Sequence, residues 1–123
     1  MAHDFTDTIL VLVCGGRDYD DRTFVNTVLN TVSPDYVVHG DARGADTLAK
    51  DWALNNGKAV YAHPAQWDRY GKSAGYKRNV EMLDSHPNID AVIAFPGGRG
   101  TKMMIDLARG RGIMVIRPVP KSG

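Results

Sequence analysis

The sequence predicts an α/β domain of three layers, in which a five-stranded parallel sheet is flanked by helices on both faces. Three observations predict this fold class. Strand-like apolar runs alternate with amphipathic helical patterns along the chain, which is typical of right-handed βαβ units. The first run, Ile9 to Val13, shows no polar alternation, as expected of a strand that is buried on both faces. Three of the strands end in glycine-rich turns that lead straight into a helix.

The first half of the chain predicts three strands and two helices. Asp20 or Asp21 can cap the first helix, because a side-chain oxygen there accepts from the free N–H groups of the first turn. The predicted strands are 9–13, 36–39 and 58–62, and the predicted helices run from about 21 to 32 and from 45 to 55. The apolar stripes expected to face the core are Phe24, Val25, Val28 and Leu29 in the first helix and Ala45, Leu48, Ala49, Trp52 and Ala53 in the second.

The second half of the chain predicts two more strands and two more helices. Pro96 ends the fourth strand, because proline cannot donate a hydrogen bond to a neighbouring strand. Gly112 separates the last helix from the fifth strand. The predicted elements are a helix over 74–85, a strand over 90–95, a helix over 102–111 and a strand over 113–116, preceded by an irregular aromatic stretch over 63–71.

The length and composition indicate one ordinary globular domain. The 123 residues suffice for one core, so a single domain over 1–123 is expected, with loose tails at 1–7 and 119–123. The net charge of +1 gives no electrostatic reason to expect nucleic acid or an anionic membrane as a partner. No apolar run approaches ~20 residues, and the N-terminus has no signal-peptide pattern, so we expect a cytoplasmic protein with no membrane partner. The single cysteine, Cys14, excludes an internal disulfide and is expected to be a buried, inert thiol.

The three glycine-rich turns are the candidate functional site. They cover 14–19, 39–46 and 94–101, and each follows a strand. Ligands of open parallel sheets bind at the carboxyl ends of the strands, near the point where strand order reverses. Free backbone N–H groups at helix starts suit phosphate or carboxylate. The sequence therefore predicts an anion-accepting crevice on one rim of the sheet.

The polar side chains of these turns suit a nucleotide. Arginines can pair with phosphate in bidentate fashion, carboxylates can accept from ribose hydroxyls, and an aromatic ring can stack on a base. The candidates are Arg17, Arg43, Arg78 and Thr101 for phosphate, Asp18, Asp41 and Asp46 for ribose, and Tyr19 or Trp67 for the base. Structural roles stay open for several of them, since Asp46 can cap a helix, Arg17 can pair with a neighbouring acid and Trp67 can be a core anchor.

Several classes of site are not predicted. The first turn lacks the dinucleotide pattern GxGxxG, and no GxxxxGK[ST] phosphate loop occurs, so neither a conventional NAD enzyme nor a kinase is expected. The four histidines, His3, His39, His63 and His86, show no metal-ligand spacing. Neither Ser73 nor Ser85 lies in a nucleophile elbow. We therefore expect no metal and no certain cofactor, with a nucleotide or nucleotide derivative as the ligand.

Four motifs together resemble the YspA-type branch of the SLOG superfamily, a Rossmann-like group that includes the cytokinin-activating LOG enzymes and DprA-type proteins. The resemblance covers about 9 to 118. It implies a nucleotide pocket on the sheet rim, used for sensing or processing nucleotide signals in bacterial or phage conflict. The motifs are Cys14-Gly15-Gly16-Arg17-Asp18-Tyr19, His39-Gly40-Asp41-Ala42-Arg43-Gly44-Ala45-Asp46, Arg78-Asn79 with Met82, and Ala94-Phe95-Pro96-Gly97-Gly98-Arg99-Gly100-Thr101.

The resemblance implies phosphate or ribose on the first turn, the other two turns opposite it, and Trp67 and Arg78 at the mouth. Residues and resemblance together predict one ligand-binding set. It consists of Gly15, Gly16, Arg17, Asp18, Tyr19, Gly40, Asp41, Arg43, Gly44, Asp46, Trp67, Arg78, Asn79, Pro96, Gly97, Gly98, Gly100 and Thr101.

One departure from the LOG pattern puts hydrolysis in doubt. LOG-type phosphoribohydrolases carry PGGxGTxxE, whose glutamate assists cleavage of the N-glycosidic bond, and the glutamate position here is Met104. Asp106 lies about 200° further round the helix and is not expected to substitute. The leading hypothesis is therefore a nucleotide-binding module for sensing, sequestration or processing. The alternative is a nucleotide hydrolase with Asp18, Asp41 or Asp46 as the acid–base group, so catalytic residues stay unknown and enzyme activity stays open.

A homo-oligomer is a further expectation. Met103, Met104 and Leu107 could form an adaptable apolar face for a second copy. Packing inside the core explains the same three residues equally well.

Overall fold

A five-stranded parallel sheet forms the centre of the protein. The structure, a computed structural model, describes residues 8–121. The strand order is β3-β2-β1-β4-β5, and all four pairings are parallel. The strands are β1 (Leu10–Cys14), β2 (Tyr36–His39), β3 (Ala59–Ala62), β4 (Ala91–Ala94) and β5 (Met114–Ile116).

Four longer helices cover the sheet, and a fifth, short helix packs beside one of them. Two of them, α1 and α2, pack on one face, and α4 and α5 pack on the other, so the predicted three-layer Rossmann-like fold is confirmed. The helices are α1 (Arg22–Val32), α2 (Ala45–Asn55), α3 (Trp67–Tyr70), α4 (Ala74–Ser85) and α5 (Arg99–Gly110).

The core alternates along the central strand. Val11 and Val13 face α1 and α2, whereas Leu12, between them, faces α4 and α5. All three are fully buried, as expected of a strand with helices on both faces. The five-residue stripe predicted for α2 is buried, and the α1 stripe is buried at Val25 and Leu29 and partly buried elsewhere.

The predicted bounds of β2, α2 and α4 are confirmed, those of the other strands are shifted by one residue, and two regions differ by more. Asp21 caps α1 by accepting from the N–H of Phe24 at 3.1 Å. The stretch 63–71, predicted to be irregular, contains α3, which a 3₁₀ turn, Gly71–Ser73, joins to α4. The last helix, α5, begins at Arg99 rather than at 102, because buried contacts of Thr101 and Met104 outweigh the low helix propensity of the glycines.

Two further predictions concern the loose tails and the apolar face for a second copy. Tail residues 1–7 and 122–123 lie outside the described residues, and 119–121 are exposed and form no helix or strand. Met104 is fully buried in the core, so it is not part of a surface, whereas Met103 and Leu107 are half-buried. Within residues 8–121 no helix is long and apolar enough to cross a membrane.

Strand order reverses between β1 and β4. The chain passes from β1 to β2 and β3, and then crosses back to β4 on the other side of β1. Cys14 and Ala94 are register partners at the carboxyl ends of these two strands. Because helices leave the two strands on opposite faces, a crevice opens at this point.

Gly16 joins the three glycine-rich turns. Its N–H donates to the carbonyl of Pro96 at 2.8 Å, and its carbonyl accepts from the N–H of Ala45 at 3.2 Å. The second turn therefore packs directly on the first. A β-carbon added at Gly44 would overlap the carbonyl oxygen of Gly16 and the backbone of Arg17.

This packing predicts a large effect of Gly44→Ala. Gly44 has φ +82° and ψ −129°, outside the left-handed helical region, so alanine there is strained by roughly 1–3 kcal/mol before the backbone overlap is counted. We expect Gly44→Ala to lower the free energy of unfolding by roughly 2–4 kcal/mol in urea denaturation. Gly57→Ala is the matched control, since Gly57 has φ +68° but no atom within 4 Å of an added β-carbon. Equal losses for the two variants would show that contact between the turns contributes nothing.

Candidate functional site

A crevice of about 560 Å³ lies at the carboxyl ends of the strands, where the sequence predicts a site. It is bounded by the ends of β1 and β2, by α4 and by the N-terminus of α5. The predicted residues that line it are Gly15, Gly16, Arg17, Gly40, Asp46, Trp67, Arg78, Asn79, Gly98, Gly100 and Thr101. A cavity of about 380 Å³ shares Arg17, Gly40, Trp67 and Arg78 with the crevice and adds Asp41 and Arg43.

Five predicted residues lie elsewhere. Tyr19 stacks on Phe95 with ring centroids 5.4 Å apart, so its ring belongs to the packing of the first turn. The Asp18 side chain is 93% exposed and pairs with Arg43 at 3.3 Å. Gly44 packs against the first turn. Pro96 and Gly97 line a different cavity of about 810 Å³, on the side of α5 that faces the segment after β5.

The crevice also contains residues that the sequence did not predict. Gly75 was not in the predicted set, and it lies with the predicted Asn79 and with Met82 of the third motif on one face of α4, at the i, i+4, i+7 spacing of a helix. This periodicity was the available signal, and it also covers Tyr76, three positions before Asn79. Lys72 and Arg99 complete the rim; Arg99 lies within the fourth motif but was not in the predicted ligand-binding set, and no sequence pattern distinguished Lys72 from an ordinary surface cation.

The N-terminus of α5 is open to the crevice. Gly98 is its N-cap, and no side chain caps the helix. Within the described part of the chain, the N–H groups of Arg99, Gly100 and Thr101 donate to no protein acceptor. The amide of Asn79 donates to the carbonyl of Gly100 at 3.3 Å, which holds this turn against α4. Three free N–H groups at the positive end of a helix form a seat for an anion.

Arg78 spans the wall opposite the first turn. Its Nη1 donates to the carbonyl of Gly40 at 2.5 Å, and its Nε donates to Oδ1 of Asn79 at 3.0 Å. Burial lowers the pKa of Arg78 from its ordinary value, but a guanidinium stays charged in proteins. Its second terminal nitrogen, Nη2, makes no hydrogen bond to the described residues and is available to a ligand.

Asp46 lies at the floor of the crevice and is 6% exposed. Its Oδ2 accepts from the N–H of Gly40 at 3.0 Å and from the N–H of Ala42 at 3.2 Å. Burial raises the pKa of this carboxyl from 3.8 to about 6, against the smaller lowering effects of the Ala42 amide and of Arg78. Asp46 therefore fixes the second turn and does not cap α2, whose N-cap is Gly44 and whose N-terminus has no side-chain cap.

The Cys14 thiol beside Asp46 is a poor nucleophile at neutral pH. Burial, with a smaller contribution from the Asp46 carboxylate, raises the pKa of this thiol to about 12. At neutral pH the sulfur is protonated, and a protonated thiol is a poor nucleophile.

Aromatic and cationic side chains form the mouth of the crevice. Trp67 is 47% exposed, so it is not a core anchor, and the guanidinium of Arg17 lies 5.4 Å from its ring centroid. Four cations line the crevice, namely Arg17, Lys72, Arg78 and Arg99. Among the described lining residues, Asp46 is the one carboxylate. This charge distribution favours an anionic ligand.

The histidines that the structure describes do not line this crevice. His39 is 1% exposed, its Nδ1 accepts from the N–H of Asp41 at 3.0 Å, and burial lowers its pKa. His63 and His86 contact each other through their Nε2 atoms at 2.8 Å, away from the lining. The described residues contain no group of three or more potential ligands arranged to hold a metal ion.

A Rossmann-like sheet with glycine-rich turns on its carboxyl rim defines a class of nucleotide-related proteins. This chain belongs to the YspA, cpYpsA-related SLOG family, whose sequence profile matches residues 9–70. It is 37% identical to the Gene 61 protein of Mycobacterium phage D29 over 121 residues, which cover 86% of this chain and 93% of that protein. Membership in this family indicates nucleotide-related binding or processing.

The fold is also similar to that of DNA processing protein A (DprA) from Streptococcus pneumoniae. The two structures superpose with a TM-score of 0.74 over 95% of this chain, at 21% sequence identity. This chain spans about half of the DprA chain, 52% of its length. Because the two sequences are only 21% identical, this structural similarity shows a shared fold and carries no statement about function.

The environment of Asp46 predicts that Asp46→Asn stabilises the protein at neutral pH. Because the folded state holds the proton more tightly than the unfolded state, stability falls as pH rises from 3.8 to about 6 and stays low above that. Asparagine keeps an acceptor for the two N–H groups without the buried charge. We expect Asp46→Asn to unfold at higher urea than wild type at pH 7, by roughly 1–3 kcal/mol, and to match it near pH 4.

Asp51→Asn is the control for this prediction, because Asp51 lies on the same helix and pairs with Arg22 at the surface. Its effect should stay within about 0.5 kcal/mol at both pH values. An Asp46→Asn protein that is less stable than wild type at pH 7 would mean that the fold itself requires the carboxylate.

Proposed function

We propose that this protein binds a nucleotide or nucleotide-derived signal in the crevice, for sensing, sequestration or processing. One observation carries the proposal: the residues at the N-terminus of α5, whose first N–H groups have no acceptor in the described part of the chain, line the same cavity as Arg17 and Arg78. Backbone donors, helix dipole and guanidinium groups together favour a phosphate. Family membership supports the same ligand class.

The proposed ligand lies across the crevice with its phosphate on Gly98–Thr101. Arg99 and the free Nη2 of Arg78 supply positive charge at this end. The base stacks at the mouth on Trp67, whose ring is half-exposed and already carries the Arg17 guanidinium. In this arrangement Gly16 does not bind phosphate through its N–H, because that group donates to Pro96.

The first experiment identifies the ligand. Freshly purified protein is denatured, and the supernatant is examined by mass spectrometry beside a thermal-shift panel of nucleotides. A ligand present at a hundredfold excess over its Kd stabilises the fold by ~2.7 kcal/mol. A nucleotide that co-purifies intact and raises the melting temperature supports the proposal. Absence of both co-purified and stabilising nucleotides would contradict it.

Gly98→Asp tests the phosphate seat. A β-carbon at Gly98 meets no atom within 4 Å, so the variant should fold normally. Its carboxylate would occupy the anion seat and repel phosphate, so we expect at least a tenfold loss of nucleotide affinity, about 1.4 kcal/mol, by titration calorimetry. Gly110→Asp makes the same substitution at an open position outside the crevice, where φ is likewise not positive, and should bind as wild type does. Unchanged affinity in a folded Gly98→Asp protein would rule out this seat.

A hydrolase is the second candidate function, and the position of Asp46 favours it. Of the three carboxylates considered from the sequence, Asp46 alone lines the crevice, and its pKa of about 6 suits a general acid or base. Met104 is fully buried at the LOG glutamate position, and Asp106 pairs with Lys102 at 3.0 Å on the exposed side of α5.

Turnover separates the two functions. Wild type and Asp46→Asn are incubated with the nucleotide that stabilises the fold, and free base and sugar phosphate are quantified by chromatography. Release by wild type and its loss in a variant that still binds would establish hydrolysis. An intact nucleotide after prolonged incubation would leave binding as the function.

A further inference from the structure

We infer that Asp46 accepts hydrogen bonds from the ribose hydroxyls of the bound nucleotide, so that the crevice selects ribonucleotides over analogues that lack these hydroxyls. The inference rests on the proposed function and assigns one side chain of the crevice to one part of the ligand. It requires binding and does not require turnover.

The two carboxylate oxygens of Asp46 have different surroundings. Oδ2 is occupied by the N–H groups of Gly40 and Ala42, at 3.0 and 3.2 Å. Oδ1 makes no hydrogen bond to any described residue, although Asp46 is only 6% exposed and lines the crevice. One oxygen therefore holds the second turn, and the other is an unpaired acceptor at the crevice. Oδ1 is not sealed from solvent, so a donor from a ligand or from water can reach it.

The partner of Oδ1 must be a neutral donor of the ligand. A phosphate is repelled by the carboxylate, and it has its own seat at the N-terminus of α5. The base lies outward in the proposed pose, because the ring available for stacking, Trp67, is at the half-exposed mouth. The sugar lies between phosphate and base, so its hydroxyls are the donors that reach the floor.

The charge of Asp46 is not needed to hold the turn. A neutral amide at this position also presents an oxygen to the N–H groups of Gly40 and Ala42. An ionised acceptor instead strengthens a hydrogen bond from a hydroxyl, roughly twofold over a neutral one. A buried carboxylate is thus suited to the ligand rather than to the fold.

The pH dependence of selectivity isolates Asp46 from its neighbours. The groups that face it are the Cys14 thiol from β1, the Arg78 guanidinium from α4 and the Asp41 carboxylate from the second turn. Arg17, Lys72, Tyr76 and Arg99 complete the titratable lining. Within the lining, the pKa of Asp46 lies at about 6, whereas that of Cys14 lies at about 12. The phosphate group of a nucleotide also titrates near pH 6. Because it does so equally in a ribonucleotide and in its dideoxy analogue, its effect cancels in the ratio of their two affinities.

The experiment measures that ratio by titration calorimetry. The probes are the four ribonucleoside 5′-monophosphates and their 2′,3′-dideoxy counterparts, used with wild type, Asp46→Asn and Asp51→Asn. For wild type at pH 7.5 we expect the ribonucleotide to bind about tenfold more tightly than its dideoxy analogue. The ratio should fall towards one as pH drops to 5. In Asp46→Asn it should be small and independent of pH, whereas Asp51→Asn should behave as wild type does.

Four outcomes would overturn the inference. Equal affinity of wild type for both sugars at pH 7.5 would exclude recognition of the hydroxyls, although the proposed binding would stand. A ratio that persists in Asp46→Asn would assign the hydroxyls to another residue. If no monophosphate binds wild type, this ligand class fails for the proposed function and for the inference together. Should Asp46→Asn not fold, the pH dependence of the wild-type ratio decides alone, and a constant ratio between pH 5 and 7.5 refutes the role of Asp46.

Discussion

The backbone of Gly16 is the point on which the geometry of the binding face depends. Its N–H reaches the carbonyl of Pro96, and its carbonyl accepts from Ala45, so one residue fixes the turn after β1 to the turns after β4 and β2. Both contacts need close approach of main chains, and the missing side chain of Gly44 permits the second one. Loops are usually the mobile part of a domain, but here they are joined into one rim by main-chain hydrogen bonds.

These main-chain hydrogen bonds determine which N–H groups are free to bind an anion. N–H groups that hold the turns together are not available to a ligand, and this removes Gly16 from the donors that the resemblance implied. Free donors remain at the start of α5, where no side chain caps the helix and Asn79 of α4 holds the carbonyl of Gly100. In the proposed arrangement the phosphate therefore lies on the α5 side of the rim rather than on the first turn. Arg78 and Arg99 line the crevice on this side, whereas Asp18 and Tyr19 do not line it.

Most of the fold could be predicted from the sequence, and part of the site could not. Bounds for β2, α2 and α4 follow from the apolar periods and their breakers, because strong local patterns coincide with burial. The one-turn helix at Trp67 has too few residues to show a period. The contact of Tyr19 with Phe95 and the bond of Gly16 with Pro96 join positions about 80 residues apart in sequence, so they depend on β4 lying beside β1. The sequence could name Asp46 as a polar candidate, but only the tertiary structure separates its two oxygens.

The distribution of charge in the crevice favours one orientation of the bound ligand. The buried Met104 stands where LOG enzymes carry a glutamate, so the first turns of α5 bring no carboxylate to the crevice. Arg99 and the positive end of the helix dipole therefore set the charge of this wall. The one lining carboxylate belongs to α2, across the floor from α5. An anion is therefore attracted to one wall and repelled from the floor, while neutral donors are attracted to the floor. This asymmetry needs no movement of the protein, because Asp46 and Gly16 both hold the turns that carry it. Selection among nucleotides would then follow from the orientation that a fixed electrostatic pattern imposes.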